Sequence, residues 1–327
     1  MIIQDDVCGN FDINEKVLIE LINSPAIQRL KDIDQAGYSK GIFKYSRNRY
    51  DHSIGVFLLL RRYGASLEEQ MAGLIHDISH YAFSHAIDYV LEEGDIGKQD
   101  LQDRSKEKFL ERSNIPKVLE KYGYDSKYIA DEENFPLLEN SLPDICADRI
   151  EYSIRDIILF LDKGESKAKK ILSHLKVKDK NTWYFDNVDV CYEYAKYFKD
   201  LNDNFYAGFN SAIMFKSIKD FMKHALERGY ISTKDLEKYD QYVLDKCLEY
   251  VRKDKLLKKY WDRMNDSKLF YEDRNNYEEI IYCKSRVIDP VCLVNKEMKR
   301  VSEVHGEWRK IIKDDCALKK YYVAIRD

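Results

Sequence analysis

Apolar residues recur at helical spacing along most of the chain, and the first clear run is Glu15 to Ile22, where Val17, Leu18, Leu21 and Ile22 share one face. Ser24 followed by Pro25 reads as an N-cap with proline at the first helical position, so two short helices open the helical part. Gly37 to Tyr50 has glycines and aromatics but no helical period, which predicts loop or short extended structure. Asp51 is placed to cap the next helix, with Ile54, Phe57 and Leu58 facing inward until Gly64 ends it. Ser66 with Glu69 has the capping-box pattern for a helix running through Met71, Leu74, Ile75 and Ile78.

Beyond these, Asp88 to Glu93 continues as helix, Gly94 to Asp103 is polar and loose, and residues 104 to 122 are again amphipathic. Asp131 to Pro143 reads as loop with a short helix. Asp144 to Leu161 is strongly periodic, with Ile145, Ile150, Ile154, Ile157 and Ile158 on its apolar side, and predicts a central helix. Leu175 to Asn187 alternates around a Lys-Asn turn and predicts a hairpin, while 188 to 228 and 233 to 265 read as helices. The tail changes character: Tyr277 to Ser302 and the YYVAI segment fit strands. The expected fold is mainly α, a helical catalytic domain over 1–230 with a smaller α+β extension over 231–327, and no Pro- or Gly-rich linker marks the border.

With 327 residues, 44% of them hydrophobic, the chain can bury a sizeable core, which excludes a disordered or fibrous protein. Lys plus Arg number 54 against 58 Asp plus Glu, a net charge of -4, so no global field draws in nucleic acid or an anionic membrane. An anionic ligand therefore needs a local site. The seven cysteines, Cys316 among them, include no CxxC pair and are expected to be reduced thiols. The first residues carry Asp and Glu where a signal peptide carries Lys and Arg, and no apolar run approaches about 18 residues, so a soluble, cytoplasmic protein is expected.

Histidine distribution changes the picture more than the totals do. Four of the seven histidines, His52, His76, His80 and His85, fall within one short stretch. A core helix seldom needs four imidazoles; a metal or phosphoryl-transfer site does. His76 and Asp77 are adjacent on a helix and point about 100° apart, so one ion can meet both only near the helix surface with other segments completing its shell. His52 and Asp148, each on its own amphipathic helix, are the candidates. Two imidazoles and two carboxylates suit a divalent ion such as Mn²⁺, Fe²⁺, Zn²⁺, Co²⁺ or Ni²⁺, with Mg²⁺ as a harder alternative. The same residue types could instead serve as helix caps and ion pairs.

The segments RYDHSIGV at 49–56, AGLIHDISHYAFSH at 72–85 and ADRIEYSIRD at 147–156 resemble the signature blocks of the HD-domain phosphohydrolase superfamily, in the branch of the deoxynucleoside triphosphate triphosphohydrolases. NSPAIQRLKDIDQAGYS at 23–39 and SRVIDPVCLVNKEMKRVSE at 285–303 extend the likeness over nearly the whole chain. The resemblance implies an all-helical HD core with a minor α+β extension and a ligand quartet of His52, His76, Asp77 and Asp148. It implies that His80 and His85 are phosphate-binding and catalytic imidazoles, with Asp88 as the acidic partner of the catalytic group. Arg49 matches a phosphate-contacting arginine, and Tyr152 and Asp156 match positions that touch phosphates and a sugar hydroxyl. It also implies a homo-oligomer and a nucleotide effector.

Three departures stand out. Family members usually carry a His-Glu pair after the second block, whereas KQDLQDRSKEKF at 98–109 has no histidine and Gln102 and Asp103 occupy the nearest match. Tyr81-Ala82 replaces a usual Gly-Pro. The nucleotide-clasping arginine and tyrosine have no clear match in 203–221. The expected activity is metal-dependent hydrolysis of a (deoxy)nucleoside triphosphate to nucleoside plus triphosphate. The alternatives are a phosphodiesterase acting on cyclic nucleotides or short oligonucleotides, and a nucleotide-sensing module with reduced turnover.

Overall fold

A computed structural model describes residues 1–315 and 317–326, so Cys316 lies outside the described residues. The chain begins with an antiparallel hairpin, β1 (Ile2–Asp5) and β2 (Gly9–Asp12), registered Ile2 to Asp12. Neither strand has enough apolar alternation to announce itself. Helices α1 (Lys16–Ile22) and α2 (Pro25–Arg29) follow, and Ser24 caps α2 through its hydroxyl as expected. A short α3 (Ser39–Ile42) lies inside the stretch expected to be loop, because Asp34 accepts from the Ala36, Gly37 and Ser39 amides and folds the chain into a turn.

Helix α4 (Arg49–Arg62) is capped by Asn48, which accepts the Asp51 amide at 2.8 Å; Asp51 sits inside the first turn and is not the cap. Helix α5 (Leu67–Ile75) has half of the expected capping box. Ser66 accepts the Glu69 amide, but the Glu69 carboxylate is drawn across to the Leu137 amide at 2.7 Å. The helix ends at Ile75, so His76 and Asp77 stand in the turn that follows rather than mid-helix. Ser84–Tyr89 form a 3₁₀ segment and the chain then turns, so Asp88 to Glu93, expected as helix, is not α-helical. The amphipathic run is two helices, α6 (Leu101–Arg112) and α7 (Ile115–Lys121), divided before Pro116.

After α8 (Ser126–Ala130) comes the central α9 (Ala147–Phe160), then α10 (Gly164–His174). The expected hairpin is β3 (Leu175–Lys178) and β4 (Thr182–Phe185), turned through left-handed Asp179 and Lys180. Helices α11 (Val188–Leu201), α12 (Phe209–Glu227), α13 (Asp240–Val251) and α14 (Lys255–Asn265) complete the helical part. In the tail, β5 (Phe270–Glu272), β6 (Glu279–Cys283), β7 (Val291–Val294) and β8 (Glu297–Arg300) precede α15 (Val301–Val304), α16 (Gly306–Asp314) and β9 (Lys319–Ile325). Helices α15 and α16 were hidden behind the strand-like text around them.

The tail strands do not stand apart. β7 lies parallel to β4 and extends the early hairpin to the order β3-β4-β7-β8, while β5-β9-β6 form a second sheet. Trp308, fully buried, donates its indole N–H to the Ile288 carbonyl at 3.0 Å and belongs to the same apolar cluster as Phe57 and Tyr194. A second cluster forms on α12 around Phe221 and Met222. Among the described residues no helix is long and apolar enough to cross a membrane.

Candidate active site

A cavity of about 890 Å³ opens where the two apolar clusters meet: Tyr152 and Phe160 pack on the first, and Met214 and Phe215 belong to the second. Its floor is made by the start of α4, the turn after α5 and the start of α9. Arg49 and His52 occupy the first turn of α4, His76 and Asp77 follow α5, and Asp148 lies in the first turn of α9, where the helix dipole favours a carboxylate.

The imidazoles are held in defined orientations. His76 places Nδ1 2.7 Å from the Gly73 carbonyl, a C-terminal turn acceptor, so that nitrogen carries the proton and Nε2 faces the cavity floor. Nε2 is buried and, among the described residues, has no hydrogen-bond partner. His52 sets Nδ1 against the Glu151 carboxylate and Nε2 2.8 Å from Asp148 Oδ1. One donor atom each from His52, His76 and Asp148 lie within 4.8 Å of one another. Asp77 stands 3.5 Å from His76 Nε2 and 3.9 Å from His52 Nε2. An orphaned imidazole nitrogen beside two carboxylates and a second imidazole is a donor set that fits a divalent cation. A neighbouring group of Glu139, Cys146 and Asp148 does not, because the Arg149 guanidinium already lies 2.8 Å from Glu139 and 3.0 Å from the Cys146 thiol.

Burial and charge set the protonation of the floor. Burial pulls the His52 imidazolium down, but Glu151 and Asp148 outweigh it and hold the group up at about 10. The Asp148 carboxyl is held well below the usual carboxylate range despite burial, by its contacts to His52 and His76. His80 goes the other way: burial, and then the Arg49 guanidinium, bring it down to about 4, although it lies 3.1 Å from Asp77 Oδ1. His85, edge-on to His80 with ring centroids 5.1 Å apart, is pushed well below its ordinary value by burial and Arg49. Both are neutral near pH 7.

Arg49 is an organiser. Its Nε donates to Ser84, Nη1 to Asp77 at 2.8 Å and Nη2 to the Gln35 carbonyl, so three of its five N–H groups are spent on the protein. Along α9, Asp148, Tyr152, Asp156 and Phe160 all line the cavity, at one-turn intervals down a single helix face. Asp156 meets Arg47 at 3.4 Å and accepts from the Tyr206 hydroxyl at 2.9 Å; burial nevertheless raises it to about 6. At the far end Phe160 stacks on Phe205 with centroids 4.0 Å apart.

Nine of the ten residues singled out in the sequence therefore line one cavity, and Asp88 does not. Its carboxyl is buried behind the 94–101 segment, near the amides of Asp95 and Leu101, and burial raises it to about 6. Gln102 and Asp103 do reach the cavity wall. Sequence reasoning missed Glu151, Arg47, Arg149 and Arg286. Glu151 could have been found, since it lies one turn after Asp148 on the face that meets α4; Arg286 could not, since only tertiary folding brings it to the rim.

The HD domain family matches residues 49–158, which contain all ten of these residues. An uncharacterized protein of Bacillus subtilis, YdhJ, is 33% identical over 95% of this chain and 94% of its own length. A metal-dependent phosphohydrolase of Cordyceps militaris, cns2, is 38% identical over 54% of this chain and half, 50%, of its own. The deoxynucleoside triphosphate triphosphohydrolase SAMHD1 of Bos taurus is 26% identical over 55% of this chain and 32% of its own. Among solved structures, a phosphohydrolase from Bacteroides thetaiotaomicron superposes over 100% of both chains with a TM-score of 0.70 at 16% identity, a likeness of fold. With the family's blocks at the cavity floor and a full-length relative at this identity, the chain belongs to the HD-domain phosphohydrolase superfamily, whose members are metal-dependent hydrolases.

Proposed function

We propose that the cavity hydrolyses a nucleotide, a (deoxy)nucleoside triphosphate in the first instance, releasing nucleoside and triphosphate. The observation that carries this reading is the layout of α9: a metal-type cluster at Asp148 and an aromatic end at Phe160 lie on one helix face, twelve residues or roughly 18 Å apart. Such a groove matches an extended ligand that is anionic at one end and flat and aromatic at the other. Phe160 and Phe205 offer the base a stacking surface. SAMHD1, the more distant relative, acts on this substrate class by its name.

In this reading His52, His76, Asp77 and Asp148 would hold the ion, which when bound polarises a phosphoryl oxygen and acidifies water. The protein's own groups do the rest. Arg286, Lys284 and Lys98 on the cavity wall neutralise phosphate charge, and Arg149 adds a guanidinium beside Asp148. Neutral His85, whose Nδ1 has no hydrogen-bond partner among the described residues, is free to exchange a proton with the leaving oxygen. His80, bound to Asp77, and Arg49 keep the floor in register. Tyr152 and Asp156 contact the middle of the ligand, and Asp88 supports the segment behind His85. The six cysteines among the described residues are free and buried, in keeping with a reducing, cytoplasmic location. A homo-oligomer gated by a nucleotide effector belongs to the same proposal.

The test is a nucleotide screen of purified protein with Mn²⁺, with products separated by mass. Nucleoside plus triphosphate supports the reading. Cleavage confined to cyclic nucleotides or oligonucleotides would replace it with a phosphodiesterase, and metal-dependent nucleotide binding without product would make the protein a sensor.

A further inference from the structure

The first strand of the chain is wired to the cavity floor by buried charge. Asp5, at the end of β1, accepts the Val7 and Cys8 amides through Oδ1 at 2.9 and 2.7 Å, and through Oδ2 meets Arg155 Nη2 at 2.5 Å. Arg155 Nε donates to Glu151 Oε1 one turn back on α9, and the other Glu151 oxygen accepts from His52 Nδ1. The side chains are almost sealed from water: Glu151 is 0%, Asp5 8% and Arg155 14% exposed.

Helix α4 is shaped to let this chain of charges pass. At Gly55, three residues after His52, a Cβ would lie 2.0 Å from Glu151 Oε1 and 2.5 Å from Arg155 Nη2, so any side chain there would displace both. The Cys8 thiol, next to the Asp5 turn, lies 3.8 Å from the Gly55 carbonyl, which seats the hairpin on the same spot. A lone buried carboxylate beside an imidazole could rotate away; one clamped between a guanidinium and an imidazole N–H stays in place as the Nδ1 acceptor and turns Nε2 toward the cavity.

We infer that Asp5 and Arg155 are positioning residues for His52, acting through Glu151 to hold its ring with Nδ1 on the Glu151 carboxylate and Nε2 aimed at the cation site, so that the N-terminal hairpin sets metal affinity. The inference rests on the metal reading above and deepens it. It also gives β1–β2, which otherwise caps one edge of the helical core, a part in the chemistry.

The experiment measures Mn²⁺ affinity by calorimetric titration of the full-length protein, with no nucleotide, for wild type, Arg155→Met, Arg155→Lys and Asp5→Asn, alongside thermal unfolding of each metal-free form. Arg155→Met should bind Mn²⁺ about tenfold more weakly, the low end of the range for losing an outer partner of a metal ligand, because Glu151 itself remains. Arg155→Lys should recover much of that loss, and Asp5→Asn, which keeps the amide contacts of the turn, should show a smaller one. If Arg155→Met fails to fold, Asp5→Asn and Arg155→Lys carry the test. Folded variants that are less stable yet bind Mn²⁺ like wild type would overturn the inference and leave the metal site standing. A wild type that binds no Mn²⁺ would overturn the metal reading and this inference with it.

Discussion

On the cavity floor His52, Asp77 and His80 are 1%, 5% and 3% exposed and are each tied to further buried groups, whereas at the rim Asp103 is exposed and Gln102 reaches only the nearby Gln99 carbonyl. Floor groups come from helix ends inside the apolar core, so their positions are fixed before any ligand arrives. Rim groups come from the 98–103 segment and from the Lys284–Arg286 stretch, brought together from 187 residues apart by the Arg286 to Gln99 bond at 2.9 Å. A rigid floor suits chemistry that tolerates little displacement; a rim held by a few long-range polar bonds suits selection among substrates.

The largest effect should come from the floor. His76→Ala should abolish metal binding and turnover while leaving helicity intact, as elemental analysis and circular dichroism can show, because the imidazole gives up one hydrogen bond, to the Gly73 carbonyl, and strands no buried charge. Asp77→Ala should lose metal and also about 3 kcal/mol of stability, because it strands the buried Arg49 guanidinium. Equal stability of the two variants would break the contrast. His85→Ala comes next: metal content unchanged, turnover slower by about 10²- to 10⁴-fold, read from kcat at saturating Mn²⁺.

At the rim, Arg286→Ala should raise KM for a triphosphate by about tenfold with kcat nearly kept, the signature of lost uniform binding. A fall in kcat at constant KM would move Arg286 to the floor side of the comparison. Between floor and rim, Asp156 tests the cost of burial. Its folded-state value is raised to about 6, above the ordinary 3.8, so its favourable contribution is present below pH 3.8 and is lost as pH rises through 6. Asp156→Asn should therefore unfold at a higher temperature than wild type at pH 7, with the advantage gone at pH 3.5, while substrate turnover falls. The smallest effect belongs to Gln102→His, which should add a titration near pH 6.5 to the rate profile. Superimposable profiles would place Gln102 away from the chemistry.

Local patterns settled the helices that build the floor, because an amphipathic run such as 147–160 can bury its apolar face in only one way. They also drew attention to residues of ligand type, since clustered imidazoles have few structural uses. Two features were invisible in the text of the chain. The Glu69 carboxylate abandons its own helix for the Leu137 amide, a choice made by a partner 68 residues away. Asp88 has the right spacing from His85 for a catalytic partner, but a 3₁₀ turn in place of α-helix aims it behind the segment and out of the cavity.

The tail shows the same division. Its strands are legible as alternating residues, but their partners are not: besides its neighbour β8, β7 pairs with β4 from the early hairpin. Sequence by itself determined the long amphipathic helices and which clustered residue types could serve a cation, because periodicity and donor chemistry are local properties. Tertiary structure alone decided that Asp5, Arg155 and Glu151 stand behind His52, because a buried charge is stable only where folding brings its counter-charge, and chain distance carries no record of that meeting.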